Sequence, residues 1–150
     1  MALVKMICKI LENLYVGGAS DVPTAKKVGV NAVVNVAYDI DDSKYRNLYS
    51  ESLYHFPMRD TDLDQTDMMI KARDTVIRLL SNGKIVYLHC AAGLSRSATV
   101  AILVLEKTND MTFREAEDYV KSHNPGSRCG LNHMLLNRTI RGIRSRRECV

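Results

Sequence analysis

Cys90 is followed six residues later by Arg96, with Gly93 between them, His89 just before and Ser97 just after. A sulfur and a guanidinium at that spacing suit nucleophilic attack on a bound tetrahedral oxyanion. Residues 84–89 carry the apolar run Ile85 to Leu88, the pattern of a buried strand, and an apolar helical run begins soon after it. The residues between, Ala91, Ala92, Gly93, Leu94 and Ser95, therefore form a tight loop at the carboxyl end of a strand. Open α/β sheets hold their ligands at such ends. Unpaired N–H groups and the positive end of the following helix make the loop a seat for phosphate or sulfate. Gly93 permits the turn, and Arg96 offers a forked contact to two oxygens. The same positive field favours the thiolate of Cys90, the nucleophilic form. One loop thus binds the anion and activates the sulfur. Neither Cys8 nor Cys129 repeats the spacing, since Leu14 and Leu135 stand six residues beyond them.

The elements that position this loop alternate in type. Residues 14–16 read as the end of a strand before Gly17 and Gly18, and Pro23 sits in the first turn of a helix opened near Ser20 and Asp21. Residues 31–37 are a β-branched run and predict a buried strand; residues 38–50 predict a polar loop with a helical turn. Residues 53–58 predict a strand closed by Pro57. An acidic stretch, residues 60–67, leads into a helix through Ile70, Val76, Ile77, Leu79 and Leu80, which Asn82 and Gly83 end. Thr112 and Glu115 form a capping box for a helix to about His123, and a last helix runs from near Leu131 into an arginine-rich tail. This order predicts an α/β fold: a central, mainly parallel sheet flanked by helices, with the phosphate-binding loop between a central strand and a helix.

The 150 residues suit one domain with a basic tail over 138–150, and 46% hydrophobic with 25% charged residues excludes a disordered chain. The net charge of +4 comes from that tail: Arg138, Arg141, Arg144, Arg146 and Arg147 lie there, and without them and Glu148 acids and bases balance. A nucleic-acid partner is therefore disfavoured. Arg138, Arg141 and Arg144 lie on one helix side, either as an anion-docking face or as a solvated helix end. Lys5, Lys9 and Glu12 interrupt the apolar start, so no membrane span is expected, and no cleavage site marks a signal peptide. Cys149, next to the last position, excludes a prenylation box. Four cysteines at these spacings make neither a zinc site nor a disulfide framework. A reducing compartment, cytoplasmic or nuclear, follows, with no metal and no cofactor.

His89, Cys90, Gly93, Ser95, Arg96 and Ser97 together resemble the signature of the cysteine-based protein phosphatases, in the dual-specificity branch. Leu14 to Gly18, Val33 to Val36 and Phe56 to Asp60 fall where that family has similar segments. The resemblance implies metal-independent hydrolysis of a phosphate monoester through a cysteinyl-phosphate. It gives Cys90 the nucleophile's role, Arg96 phosphate and transition-state binding, and Ser97 stabilisation of the departing thiolate. The backbone of Ala91 to Ser95 is then the cradle, and His89 orients the cysteine, although a purely structural core histidine stays open. The leaving oxygen needs a proton donor. Among Asp60, Asp62, Asp64 and Asp67 the resemblance favours Asp60, with Asp62 the runner-up, whereas Asp64 or Thr66 reads as a helix N-cap. Asn132 matches the family's asparagine before the last helix, without its preceding proline, and Arg128 is a candidate substrate contact or a solvated charge. The cradle carries no basic side chain, which favours a phosphorylated protein, on tyrosine and on serine or threonine, over a phosphoinositide or an RNA 5′-phosphate. A phosphate-binding module would not need the nucleophile, and a redox or sulfur-transfer enzyme would not need Ser97 or the acidic loop.

Overall fold

The structure, a computed structural model, describes residues 7–148; Lys5 and Cys149 lie outside the described residues. Five strands form one sheet: β1 (Ile7–Leu11), β2 (Leu14–Gly17), β3 (Ala32–Ala37), β4 (Leu53–Met58) and β5 (Val86–His89). Their order is β1-β2-β5-β3-β4; β1 runs antiparallel to β2 and every other pair is parallel. The helices are α1 (Val22–Ala25), α2 (Arg46–Tyr49), α3 (Thr66–Ser81), α4 (Arg96–Thr108), α5 (Phe113–His123), α6 (Ser127–Gly130) and α7 (His133–Glu148).

The pleat explains how the core divides. Val86 and Leu88 of β5 join Val16, Val34 and Val36 in the larger cluster, which the apolar sides of α3, α4, α5 and α7 cover. Tyr87, one residue out of phase, points to the opposite face and joins Val22, Ala25, Val33 and Tyr49 in a smaller cluster under α1 and α2. With both faces covered, β5 has four fully buried residues in a row. It lies between β2 and β3, so the loop after it emerges at the middle of the sheet's carboxyl edge. Pro57 falls in β4, an edge strand, where a missing N–H removes no central ladder bond.

Three details differ from the sequence reading. β1 is a strand although no strand was expected there; Lys9 interrupts its apolar run, and β1 survives as the antiparallel edge partner of β2. The turn of helix α6 follows Pro125, between the helix expected to end near His123 and the last one, where no helix was expected. The N-cap position of α3 is Gln65, not Asp64 or Thr66. Asp64 still serves the helix start from one residue further out, its Oδ1 accepting from the N–H (3.1 Å) and hydroxyl (2.6 Å) of Thr66. These bonds hold the Asp64 carboxyl below the usual carboxylate range.

The basic end of α7 is tied to the body of the fold. Arg147 makes two bonds to Glu106 (2.8 and 3.0 Å), and Arg146 pairs with Asp67 at 2.6 Å. Gly142 lets α7 approach α3 there, because a Cβ would lie 2.9 Å from the Cβ of buried Thr66 and still nearer its hydroxyl. Ala normally stabilises a helix interior relative to Gly, but Gly142→Ala is expected to destabilise this protein by about 1–3 kcal/mol, as a lower midpoint in urea unfolding.

Candidate active site

Cys90 directly follows β5 and is only 2% exposed, with its Sγ 3.3 Å from the hydroxyl of fully buried Ser97. Above it lies a cavity of about 190 Å³ bounded by the loop after β5, Arg96, Asp60 and Gly130. The loop is held at several points. Gly93 has φ +76°, and a Cβ there would lie 2.6 Å from the carbonyl oxygen of Gly17, so no side chain fits. The carbonyl of Ala91 accepts from the N–H of Ala19 (2.9 Å), and that of Gly93 from Nδ2 of Asn124 (2.7 Å). Leu94 packs on Gly126 and Gly130, where added Cβ atoms would lie 2.5 and 2.7 Å from its carbons. Helix α6 therefore closes over the loop through two missing side chains. The hydroxyl of Ser95, the last loop residue, faces the acid loop described below.

Arg96 opens α4 and is 7% exposed. Its Nη1 donates to Asp39 Oδ1 (2.7 Å) and to the carbonyl of Met58 (2.9 Å). No described residue accepts from Nε or Nη2, so one edge of the guanidinium is anchored and the other remains for an oxyanion. The Arg96 hydrogen bond holds the Asp39 carboxyl below the usual range.

Asp60 stands at the rim. Its Oδ1 accepts from the Ser95 hydroxyl (2.9 Å) and from Nδ2 of Asn132 (3.1 Å), while the Asn132 N–H donates to the Ser95 oxygen (2.9 Å). Asn132 also accepts from the N–H groups of Met134 and Leu135, 3.1 Å each, and so caps α7. Gln65 clamps the residue before Asp60, with its amide bonded at 2.8 Å to both the N–H and the carbonyl of Arg59. Asp62 is exposed and does not border the cavity; its carbonyl accepts from Arg138 at 3.1 Å. Arg128 is exposed on α6 and also lies off the cavity lining.

His89 is fully buried, stacked on Tyr87 with ring centroids 5.6 Å apart. Nε2 meets Asp42 Oδ2 at 2.5 Å, and Nδ1 meets the carbonyl of Cys90 at 3.0 Å. Asp39, Asp42, Gln65 and Asn124 were not singled out from sequence. Asp39 and Asp42 carried one usable signal, their place just beyond the carboxyl end of a buried strand. Larger clefts of about 410 Å³ beside His55 and about 630 Å³ between α5 and α7 contain no cysteine. Among the described residues no group of three or more His, Cys, Asp or Glu is arranged to hold a metal ion.

A cysteine–arginine loop between a central parallel strand and a helix amino terminus, beneath a cavity of about 190 Å³, is the arrangement expected of a cysteine-dependent phosphatase. The family model "Dual specificity phosphatase, catalytic domain" matches residues 14–141, and the chain belongs to that family. It is 32% identical over 119 residues to protein phosphatase Slingshot of Drosophila melanogaster, covering 75% of this chain and 11% of that protein. Dual specificity protein phosphatase 16 of Homo sapiens is 31% identical over 121 residues (78% of this chain, 18% of that protein). Phosphatidylglycerophosphate phosphatase PTPMT1 of Arabidopsis thaliana is 32% identical over 115 residues (71% and 33%). The chain thus spans between 11% and 33% of these relatives' lengths. The crystal structure of human DUSP28 superposes with a TM-score of 0.77 over 91% of each chain at 17% identity, a likeness of fold.

Proposed function

We propose that the protein is a phosphoprotein phosphatase that hydrolyses phosphotyrosine and phosphoserine or phosphothreonine through a cysteinyl-phosphate. The Cys90 thiolate attacks phosphorus while the ester bond to the leaving oxygen breaks. The phosphoryl oxygens lie against the loop N–H groups and the free edge of Arg96. Asp60 gives its proton to the leaving oxygen; Oδ1 takes both fixed hydrogen bonds, which leaves Oδ2 to carry that proton. In the second half a water passes a proton to the Asp60 carboxylate and attacks phosphorus. The S–P bond breaks, and the Ser97 hydroxyl donates to the departing sulfur. Phosphate leaves, and cysteine and acid return to their first states.

The observation that carries this reading is the make-up of the cavity: Cys90 at its floor, Asp60 at its rim and Arg96 as the only cationic residue of its lining. One guanidinium suits one phosphate with neutral surroundings, as on a protein side chain. A second reading, a phospholipid monoester, rests on the phosphatidylglycerophosphate phosphatase among the relatives. A nucleophilic thiol also fits the reducing cytoplasm or nucleus. Among the described residues no helix is long and apolar enough to cross a membrane.

A substrate panel tests the proposal: phosphotyrosine, phosphothreonine and phosphoserine peptides, phosphoinositides, phosphatidylglycerophosphate and 5′-phosphorylated RNA. Turnover of the peptides is expected to dominate; turnover of lipid or RNA alone would overturn the protein reading. On the phosphoserine peptide Asp60→Asn is expected to lower kcat about 10²–10³-fold, and Asp62→Asn to leave it unchanged. The reverse pattern would move the acid to Asp62.

A further inference from the structure

We propose that Asp42 is a positioning residue that keeps His89 doubly protonated, so that an imidazolium–carboxylate pair backs the nucleophile. The inference rests on the reading of Cys90 as that nucleophile. Both ring nitrogens of His89 face acceptors: the Cys90 carbonyl at Nδ1 (3.0 Å) and the Asp42 carboxylate at Nε2 (2.5 Å). A backbone carbonyl cannot donate, and a neutral imidazole has a single N–H. Both bonds form together only when the pair holds one proton more than a neutral ring beside a carboxylate.

Burial isolates the pair from water. His89 is 0% exposed and Asp42 7%, and Asp42 Oδ1 is buried with no partner among the described residues. A buried carboxylate persists only with a counter-charge at hydrogen-bond distance, and His89 Nε2 stands there; the same proton placed on Asp42 beside a neutral ring would leave that nitrogen bare, the outcome the spectrum below distinguishes. Lys44 and Arg46 line the clefts that Asp42 borders, and Tyr49 feels its charge, but none of the three bonds its carboxylate. Tyr87, stacked on the His89 ring, is a neutral phenol whose hydroxyl burial pushes far above the ordinary range, with Asp21 of the turn after β2 adding to the effect. Its π-face favours a cation. The residues opposite His89 on β2 and β3 are Gly17 and Asn35, both uncharged. On the α4 side Ser97 faces Cys90, and Arg96 is turned to Asp39.

The order of the pair matters. The imidazolium abuts Cys90, and the carboxylate lies a ring's width farther away. Bonded to the Cys90 carbonyl, the ring is the member of the pair next to the nucleophile's residue, and Coulomb attraction falls with distance. Asp42 acts only through His89; it does not border the cavity.

Two measurements on the full chain test this. Nitrogen-15 spectra of histidine-labelled wild type at pH 7 are expected to show both His89 ring nitrogens protonated; one bare nitrogen would overturn the proposal. Alkylation of Cys90 by iodoacetamide, with Cys90→Ser as the blank for the other thiols, reads the consequence. In Asp42→Asn the amide can still bond a neutral ring, but the charge is gone. Its alkylation at pH 5.5 is expected to fall about tenfold and to rejoin wild type at alkaline pH, with unfolding unchanged. Superimposable profiles would overturn the assignment. A wild type that bound phosphate but hydrolysed nothing would instead refute the phosphatase reading, and the ring spectrum would not register it.

Discussion

Cys90→Ser is expected to abolish turnover, by about 10⁴-fold or more, while tungstate still binds the cavity. The two halves of that result come from different atoms. A serine hydroxyl is not ionised near neutral pH, and the loop's field is too weak to make it so; the nucleophile is lost. On the proposed reading the anion seat is the loop backbone and Arg96, neither of which the change touches. The fold should also persist, because the new hydroxyl keeps a partner in Ser97, the present neighbour of the sulfur at 3.3 Å. Calorimetric titration with tungstate, beside kcat on an aryl phosphate, measures both. Residual activity within about tenfold of wild type would place the nucleophile elsewhere. Loss of tungstate binding in a folded variant would show that the sulfur itself makes the seat.

The sequence made this loop legible because its signal is local. A run buried on both faces, a glycine that must turn and an apolar helix follow one another without a gap, and each reports its own state. The capping box was legible for the same reason: Thr112 and Glu115 exchange bonds within one turn, 2.9 and 3.1 Å. What stayed hidden is what depends on another element. Asp39 and Asp42 sit in a polar loop with no periodicity, and only the path of β3 beside β5 carries them to Arg96 and His89. Gln65 reads as an ordinary residue before a helix; its clamp on Arg59 exists because the acid loop doubles back. Gly126 and Gly130 look like punctuation, yet they are glycines because Leu94 lies against them. The tail reads as free positive charge, but partners on α3 and α4, Asp67 and Glu106, engage Arg146 and Arg147.

Arg96→Lys is expected to keep the fold and lose about 10³-fold in kcat on an aryl phosphate. The side chain has two edges in use. One holds Asp39 and the Met58 carbonyl, and a lysine ammonium can take over the bond to Asp39 as a point charge. Satisfying that buried position is what keeps the variant folded. The same ammonium cannot then reach two phosphoryl oxygens as a planar fork, and the transition state, where equatorial charge must be matched in two places, suffers more than the bound substrate. The loss should therefore fall on kcat more than on KM. Acid pH does not offer an alternative explanation through Asp39. Its carboxyl is depressed by Arg96, so the pair is complete above the unfolded carboxylate value and is lost only as pH falls through the lowered folded one. Across the neutral range the anchor is constant, and the difference between Arg96 and lysine isolates the fork. A variant within tenfold of wild-type kcat would mean that the loop backbone alone carries the charge.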